Sequence, residues 1–248
     1  MAIIDDFIEK SEIQEIDKQG GNKKCFLFAG YALLLGSFKE EDIEFVKEKQ
    51  KELVDEGVNV VPIVEYKAIS EANDLGYTKG YILQRRAKGE ELYGAVKDIT
   101  KEKYDKRMES LANESQEFYD KTVEDFIKIF DKGLQVDPSK SSNFFYEAGK
   151  KINFIDLDRS FDNNRDKGYD YISMTTVLIG GGGYYSFAGQ QGSKTQENAA
   201  NIMQKLKSSF VKNGYDAEKI DKDIEKRYPD TMGKKTGYMS MDITSEYG

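Results

Sequence analysis

Asp137, Asn143 and Asp156 are the residues whose types and spacing could do chemistry in this chain. They punctuate the stretch 132–158, KGLQVDPSKSSNFFYEAGKKINFIDLD. Asp137 opens a polar loop, Asn143 starts an apolar run at 143–146, and Asp156 ends a second run at 152–155. A Glu-Ala-Gly-Lys turn joins the two runs, so the pattern predicts helix, loop and hairpin. Phosphoryl transfer needs a carboxylate near the attacking hydroxyl, with an amide oxygen and a second carboxylate to hold magnesium against the phosphates of ATP. A loop feeding a tight hairpin can bring all three together. Taken singly, each is ordinary punctuation: a cap or turn, a hairpin start, a solvated strand end. Their joint order and spacing separates the two readings.

The stretch resembles the catalytic loop and metal-binding segment of the protein-kinase-like superfamily. In that family a catalytic Asp precedes a metal-ligating Asn by five residues, a hairpin follows, and a metal-ligating Asp comes thirteen residues after the Asn. Here Asn143 and Asp156 are thirteen apart, while Asp137 and Asn143 are six apart. Gln135-Val136 replaces the usual His-Arg, and Asp156-Leu157-Asp158 replaces Asp-Phe-Gly. The resemblance implies Asp137 as the residue that accepts the hydroxyl proton, Asn143 and Asp156 as magnesium ligands with Asp158 assisting, and Lys140 beside the transferred phosphate.

The elements that must position these residues are legible upstream. Strands are expected at 13–17, 25–28 and 31–35, the first two joined by a turn containing Gly20 and Gly21. The resemblance lays that turn over the nucleotide phosphates. It also expects a lysine on the third strand, where this chain has Leu34, paired with a helix glutamate, where the buried stripe of a helix at 40–56 carries Gln50. A neutral glutamine facing a neutral leucine is self-consistent, because a buried carboxylate without a cation is costly. Lys23 or Lys24 on the second strand could supply the missing charge, as in the with-no-lysine kinases; alternatively no lysine does.

Strands are expected at 58–67 and 80–84, followed by a segment similar to the hinge between kinase lobes. Gln84 and Arg85 would meet adenine there and Glu91 the ribose, with 89–92 opening a helix. A long helical tract at 102–131 delivers the chain to Asp137. Asp170 begins an apolar helix at 169–179 and is similar to the family's aspartate that supports the catalytic loop. Only eleven residues separate Asp158 from Asp170, too few for a phosphorylation-switched activation segment. Further helices are expected at 196–213 and 216–228, around a Gly/Tyr-rich loop at 180–193 and before a polar tail.

Composition narrows the function class. The 248 residues, 33% charged and 38% hydrophobic, suit a globular protein. A net charge of −8 argues against nucleic acid or an anionic membrane as the main partner. The absence of histidine removes Ser-His triads, His bases and His-ligated metals. The single cysteine, Cys25, allows no intrachain disulfide, and the acidic N-terminus lacks signal-peptide character. The chain is therefore expected to be cytoplasmic, with export as an effector still open.

The expectation is an α+β, two-lobed protein-kinase-like fold, with a nucleotide-binding lobe at 1–86 and a helical catalytic lobe at 87–248. Its function would be ATP- and magnesium-dependent phosphate transfer to a protein hydroxyl. The rivals are a pseudokinase scaffold that binds nucleotide without transfer, favoured by Leu34 and Gln50, and a kinase of small molecules such as aminoglycosides or choline.

Overall fold

The computed structural model describes residues 14–20, 23–28, 30–69, 71–93, 100–138, 140–160, 167–180 and 193–227. These form two compact units: Met1–Ile99 with Glu114–Arg165, and Thr100–Asn113 with Asp166–Gly248.

The first unit is built on an antiparallel sheet of β1 (Gln14–Gly20), β2 (Lys23–Phe28), β3 (Tyr31–Phe38), β4 (Ile63–Ala68) and β5 (Thr78–Arg85), in the order β1-β2-β3-β5-β4. Registered pairs share a face and alternate residues change face. Ala32, Leu34, Phe38, Ile82 and Gln84 therefore share one face, and Tyr31, Leu33, Tyr81 and Leu83 the other. Helix α1 (Glu40–Asp55) lies against the first of these faces: Lys47 sits over the Tyr66 ring, and Tyr66 pairs with Ile82. Leu33 and Leu83 form a separate cluster on the other face, with Phe26, Tyr31 and Tyr81 packed around them.

The segment expected to open a helix at 89–92 is instead a strand. β6 (Glu90–Glu91) joins the hairpin β8 (Phe144–Glu147) and β9 (Lys151–Phe154) in a three-stranded sheet. Gly89 makes this possible at φ +88°, since a Cβ there would stand 2.4 Å from the Tyr146 carbonyl oxygen. The expected single tract at 102–131 is two helices, α2 (Lys101–Ala112) and α3 (Gln116–Asp131). The break falls where Ser115 caps α3 by accepting from the Phe118 amide, a local signal stronger than the continuing charge pattern.

Helix α3 ends at Asp131 and leads through Lys132 and Gly133 into β7 (Leu134–Gln135), which pairs with β10 (Asp158–Arg159). A buried tie holds α3 to the α1–β4 connection. The wholly buried Asp125 carboxylate accepts from Asn59 Nδ2 at 2.6 Å, Asn59 N at 3.2 Å and Lys121 Nζ at 2.7 Å. Its three donors offset part of the cost of burying the charge.

The second unit contains α2, α4 (Lys167–Leu178), α5 (Lys194–Lys212) and α6 (Ala217–Arg227). Its core includes Tyr104, Tyr171, Met174, Ile202, Leu206 and Phe210. The Tyr104 hydroxyl donates to the Ile179 carbonyl at 2.6 Å. The expected α+β class, a small antiparallel sheet followed by helices, is what the structure shows, and the elements the resemblance requires occur in the expected order from β1 to α4. The Gly/Tyr-rich loop apart from its ends, the polar tail and Gly21 lie outside the described residues. No helix among the described residues is long and apolar enough to cross a membrane.

Candidate active site

Two short pairings gather the chemical residues. In the β7–β10 ladder Leu134 pairs with Arg159 and Gln135 with Asp158. Asp137 and Asp156 both lie beyond the same end of this ladder, each two residues past the Gln135–Asp158 pair. Between them and the ladder, Val136 and Leu157 are buried while Gln135 and Asp158 are exposed. Burial alternates on both strands, so the apolar partners anchor the ladder while the polar positions stand on its open side.

The β8–β9 hairpin brings in Asn143. Phe144 pairs with Phe154, and one step further the Ile155 amide donates to the Asn143 carbonyl at 2.9 Å. Asn143 thus sits beside the residue that precedes Asp156. Phe144 and Phe154, both wholly buried with ring centroids 5.7 Å apart, fix that end of the hairpin. The short 3-10 turn Ser141–Asn143 leads from the loop into the hairpin.

Within this frame the side chains are unequal. Asn143 is only 4% exposed, and its Nδ2 is buried with no hydrogen-bond partner among the described residues. A buried amide N–H left without an acceptor costs about 1–3 kcal/mol. An anionic ligand beside the loop would relieve that cost, and the same carboxamide offers Oδ1 to a cation. Asp156 has φ +53°, and among the described residues no other non-glycine has a positive φ. Left-handed backbone at a side-chain-bearing residue costs about 1–2 kcal/mol and persists where the surroundings impose it. Here the imposing contacts are the β10 ladder on one side and the Ile155–Asn143 bond on the other.

Asp137 is half-buried and Lys140 Nζ lies 3.4 Å from its Oδ2. Lys140 itself is exposed, so its ammonium can meet an incoming anion. Asp158 is exposed on β10. Among the described residues no group of three or more His, Cys, Asp or Glu could hold a metal by itself. A site of one carboxylate and one carboxamide, completed by ligand phosphates, needs no such group, and Asn143 with Asp156 fits it.

The remaining sequence-derived candidates are placed as follows. The strand carrying Glu91 pairs Glu91 with Phe145 and Glu90 with Tyr146, and the Leu92 amide donates to the Phe144 carbonyl at 2.9 Å. The segment before it is held by Arg86 N to Gly30 O at 2.8 Å, Arg85 N to Pro62 O at 3.3 Å and Asn153 Nδ2 to Lys88 O at 3.1 Å. Gln84 is buried on the Leu34 face, paired with Ala32 and Ile63, while exposed Arg85 stacks over Tyr31. Gln50 is 2% exposed and its Oε1 accepts from the Ile63 amide at 2.9 Å, so its amide serves to anchor the start of β4. Gly20 pairs with Lys23 across the first turn, and Lys24 pairs with Leu35. Asp170, in the second unit, accepts from the Tyr215 hydroxyl at 2.6 Å within that unit's core.

Sequence reasoning did not single out Arg159 or Lys132. Arg159 contacts Asp42 and the Phe45 ring of α1, and Lys132 contacts Glu52 and Glu56 of the same helix. Charged residues in polar stretches look like solvated surface, and only their closeness in the fold marks them.

No family model and no curated protein matches the chain. Among solved structures it is similar to a co-crystal structure of WbdD with a kinase inhibitor, at 9% identity and TM-score 0.40, covering 78% of this chain and 44% of that one. It is also similar to a crystal structure of WbdD, at 7% identity and TM-score 0.43, covering 86% and 50%. The chain spans about half the length of these structures.

Proposed function

We propose that the chain is an ATP- and magnesium-dependent phosphotransferase, acting as a protein kinase on Ser, Thr or Tyr hydroxyls, with a nucleotide-binding lobe at 1–86 and a catalytic lobe at 87–248. The observation that carries this reading is the convergence of Asp137, Asn143 and Asp156 through the β7–β10 ladder and the β8–β9 hairpin.

In this reading Asn143 and Asp156 hold magnesium, with Asp158 close by on β10. When bound, the metal neutralises phosphate charge as it is redistributed during transfer. Asp137 orients the acceptor hydroxyl and takes up its proton, a role typically worth roughly 10²–10⁴ in rate. Lys140, beside Asp137, meets the transferred phosphate. The turn containing Gly20 and Gly21 covers the phosphates, the backbone of Gln84 and Arg85 meets adenine, and Glu91 meets the ribose.

The test is a magnesium-dependent rise in melting temperature with ATP, followed by radiolabelled-phosphate transfer to the chain itself and to protein acceptors. Stabilisation by ATP that is independent of magnesium would remove the metal assignment. A second reading, a nucleotide-binding scaffold without transfer, is favoured by one observation: Gln50 is engaged by the Ile63 amide, and Leu34 occupies the strand position of the usual lysine. Magnesium-dependent binding with no transfer to any acceptor would select it.

A further inference from the structure

Helix α1 lacks the glutamate that would tie it to a strand lysine, so something else must fix its position. Two basic side chains do so from the segments that flank the candidate site. At the first turn of α1, Arg159 Nη1 lies 3.3 Å from Asp42 Oδ1, and the guanidinium stands 4.8 Å from the Phe45 ring centroid. At the last turn, Lys132 Nζ lies 3.1 Å from Glu52 Oε2 and 2.6 Å from Glu56 Oε1. Gly133, at φ +72°, lies beside the Phe45 ring, which a Cβ there would meet at an ordinary contact distance of 3.5 Å. The Ser160 amide donates to the Gly133 carbonyl at 2.8 Å and continues the β7–β10 pairing.

We propose that Arg159 is a positioning residue: by gripping Asp42 and Phe45 it ties α1 to the β7–β10 ladder, and through the ladder it holds Asp156 ready for metal. This rests on the phosphotransferase reading for its last step only. An isolated exposed ion pair contributes little. Arg159 and Asp42 are both only partly exposed, and the guanidinium stacks on an aromatic face that lysine matches poorly. The arginine is itself a residue of β10, so its loss acts on the ladder directly, three residues from Asp156. Asp156 is held in an unfavourable φ by that ladder, which makes it sensitive to loosening.

The experiment uses the full chain with Arg159→Ala, Arg159→Lys, Asp42→Asn and the exchanged pair Asp42→Arg with Arg159→Asp. Hydrogen exchange of the peptide containing the Ser160 amide is followed without nucleotide, and magnesium-ATP binding is measured alongside. Arg159→Ala should speed that exchange and weaken magnesium-ATP binding, each about tenfold, the size expected of a part-buried ion pair with a cation–π contact. Arg159→Lys should fall between, and the exchanged pair should recover part of the loss, which a merely destabilising substitution would not. Should Arg159→Ala not fold, Asp42→Asn carries the test. Unchanged exchange in the folded variants overturns the tether. Faster exchange with wild-type magnesium-ATP binding overturns the positioning role. A wild type without magnesium-dependent ATP binding overturns the proposed function instead, and the exchange result alone then decides the tether.

Discussion

Asp137 and Asp156 stand at matching positions, each two residues beyond the Gln135–Asp158 pair of the β7–β10 ladder, so the pairing that sets one carboxylate also sets the other. The relationship depends on backbone register, and a one-residue slip would turn either carboxylate to the opposite side. Val136 and Leu157, buried beneath, oppose such a slip.

For Asp156 the backbone and the carboxylate make separable contributions. Alanine at φ +53° keeps the strain, whereas glycine relieves it. Asp156→Gly should therefore melt above Asp156→Ala by roughly 2–4 °C, the shift that about 1 kcal/mol produces in a chain of this size. Both variants should lose the magnesium-dependent part of ATP stabilisation. Retention of that part in either variant would remove Asp156 from the metal site.

Under the proposed function, which confines Asp137 to the hydroxyl proton, Asp137→Ala should leave magnesium-ATP binding within about twofold of wild type and lower transfer by roughly 10²–10⁴. Lys140→Met should also lower transfer. Steady-state rates alongside ATP-induced melting shifts check both, and a lost melting shift in Asp137→Ala would place that residue in nucleotide binding.

Much of this arrangement was legible in the sequence. Alternation at 143–146 and 152–155, with a glycine-bearing turn between, specified the hairpin, and apolar spacing specified α1, because both patterns are local. The strand at Glu90–Glu91 was not legible: two acidic residues have no strand propensity, and their pairing depends on Gly89 passing the Tyr146 carbonyl and on β8, distant in sequence. The same holds for the bond from the Ile63 amide to Gln50, and for Arg159, whose partners lie on α1.

Burial raises the Asp125 carboxyl above its ordinary range, against the pull of Lys121 and Asn59. The folded chain then binds this proton more readily than the unfolded chain. The stability contributed by the group should accordingly fall as pH rises from the ordinary carboxylate range, near 3.8, through the raised folded value. Wild type should lose stability relative to Asp125→Asn over that window, measured by urea unfolding at a series of pH values. A parallel pair of curves would show that the carboxylate ionises in the fold as it does in water. Asn59→Ala should destabilise by about 1.5–3 kcal/mol, because it strips one side-chain donor from a buried carboxylate that keeps Lys121 and the backbone amide.

Under the proposed function the nucleotide phosphates need a cation, and register separates Lys23 from Lys24. Cys25 pairs with Leu34 and Lys24 pairs with Leu35. Paired positions share a face and neighbours along a strand do not, so position 23 falls on the Leu34 side of the sheet and position 24 on the opposite side. The Leu34 side also carries Ala32 and Gln84 and faces α1. Lys23→Met should therefore lower phosphate transfer by at least about tenfold, equivalent to about 1.4 kcal/mol of transition-state stabilisation, while Lys24→Met should change it by less than about twofold. The comparison is internally controlled, since both substitutions remove one charge from the same strand. A larger loss from Lys24→Met would mean that nucleotide lies on the other side of the sheet. Equal and negligible losses in a chain that transfers phosphate would point to Lys140 as the principal cation, and Lys140→Met should then be the substitution that costs the tenfold.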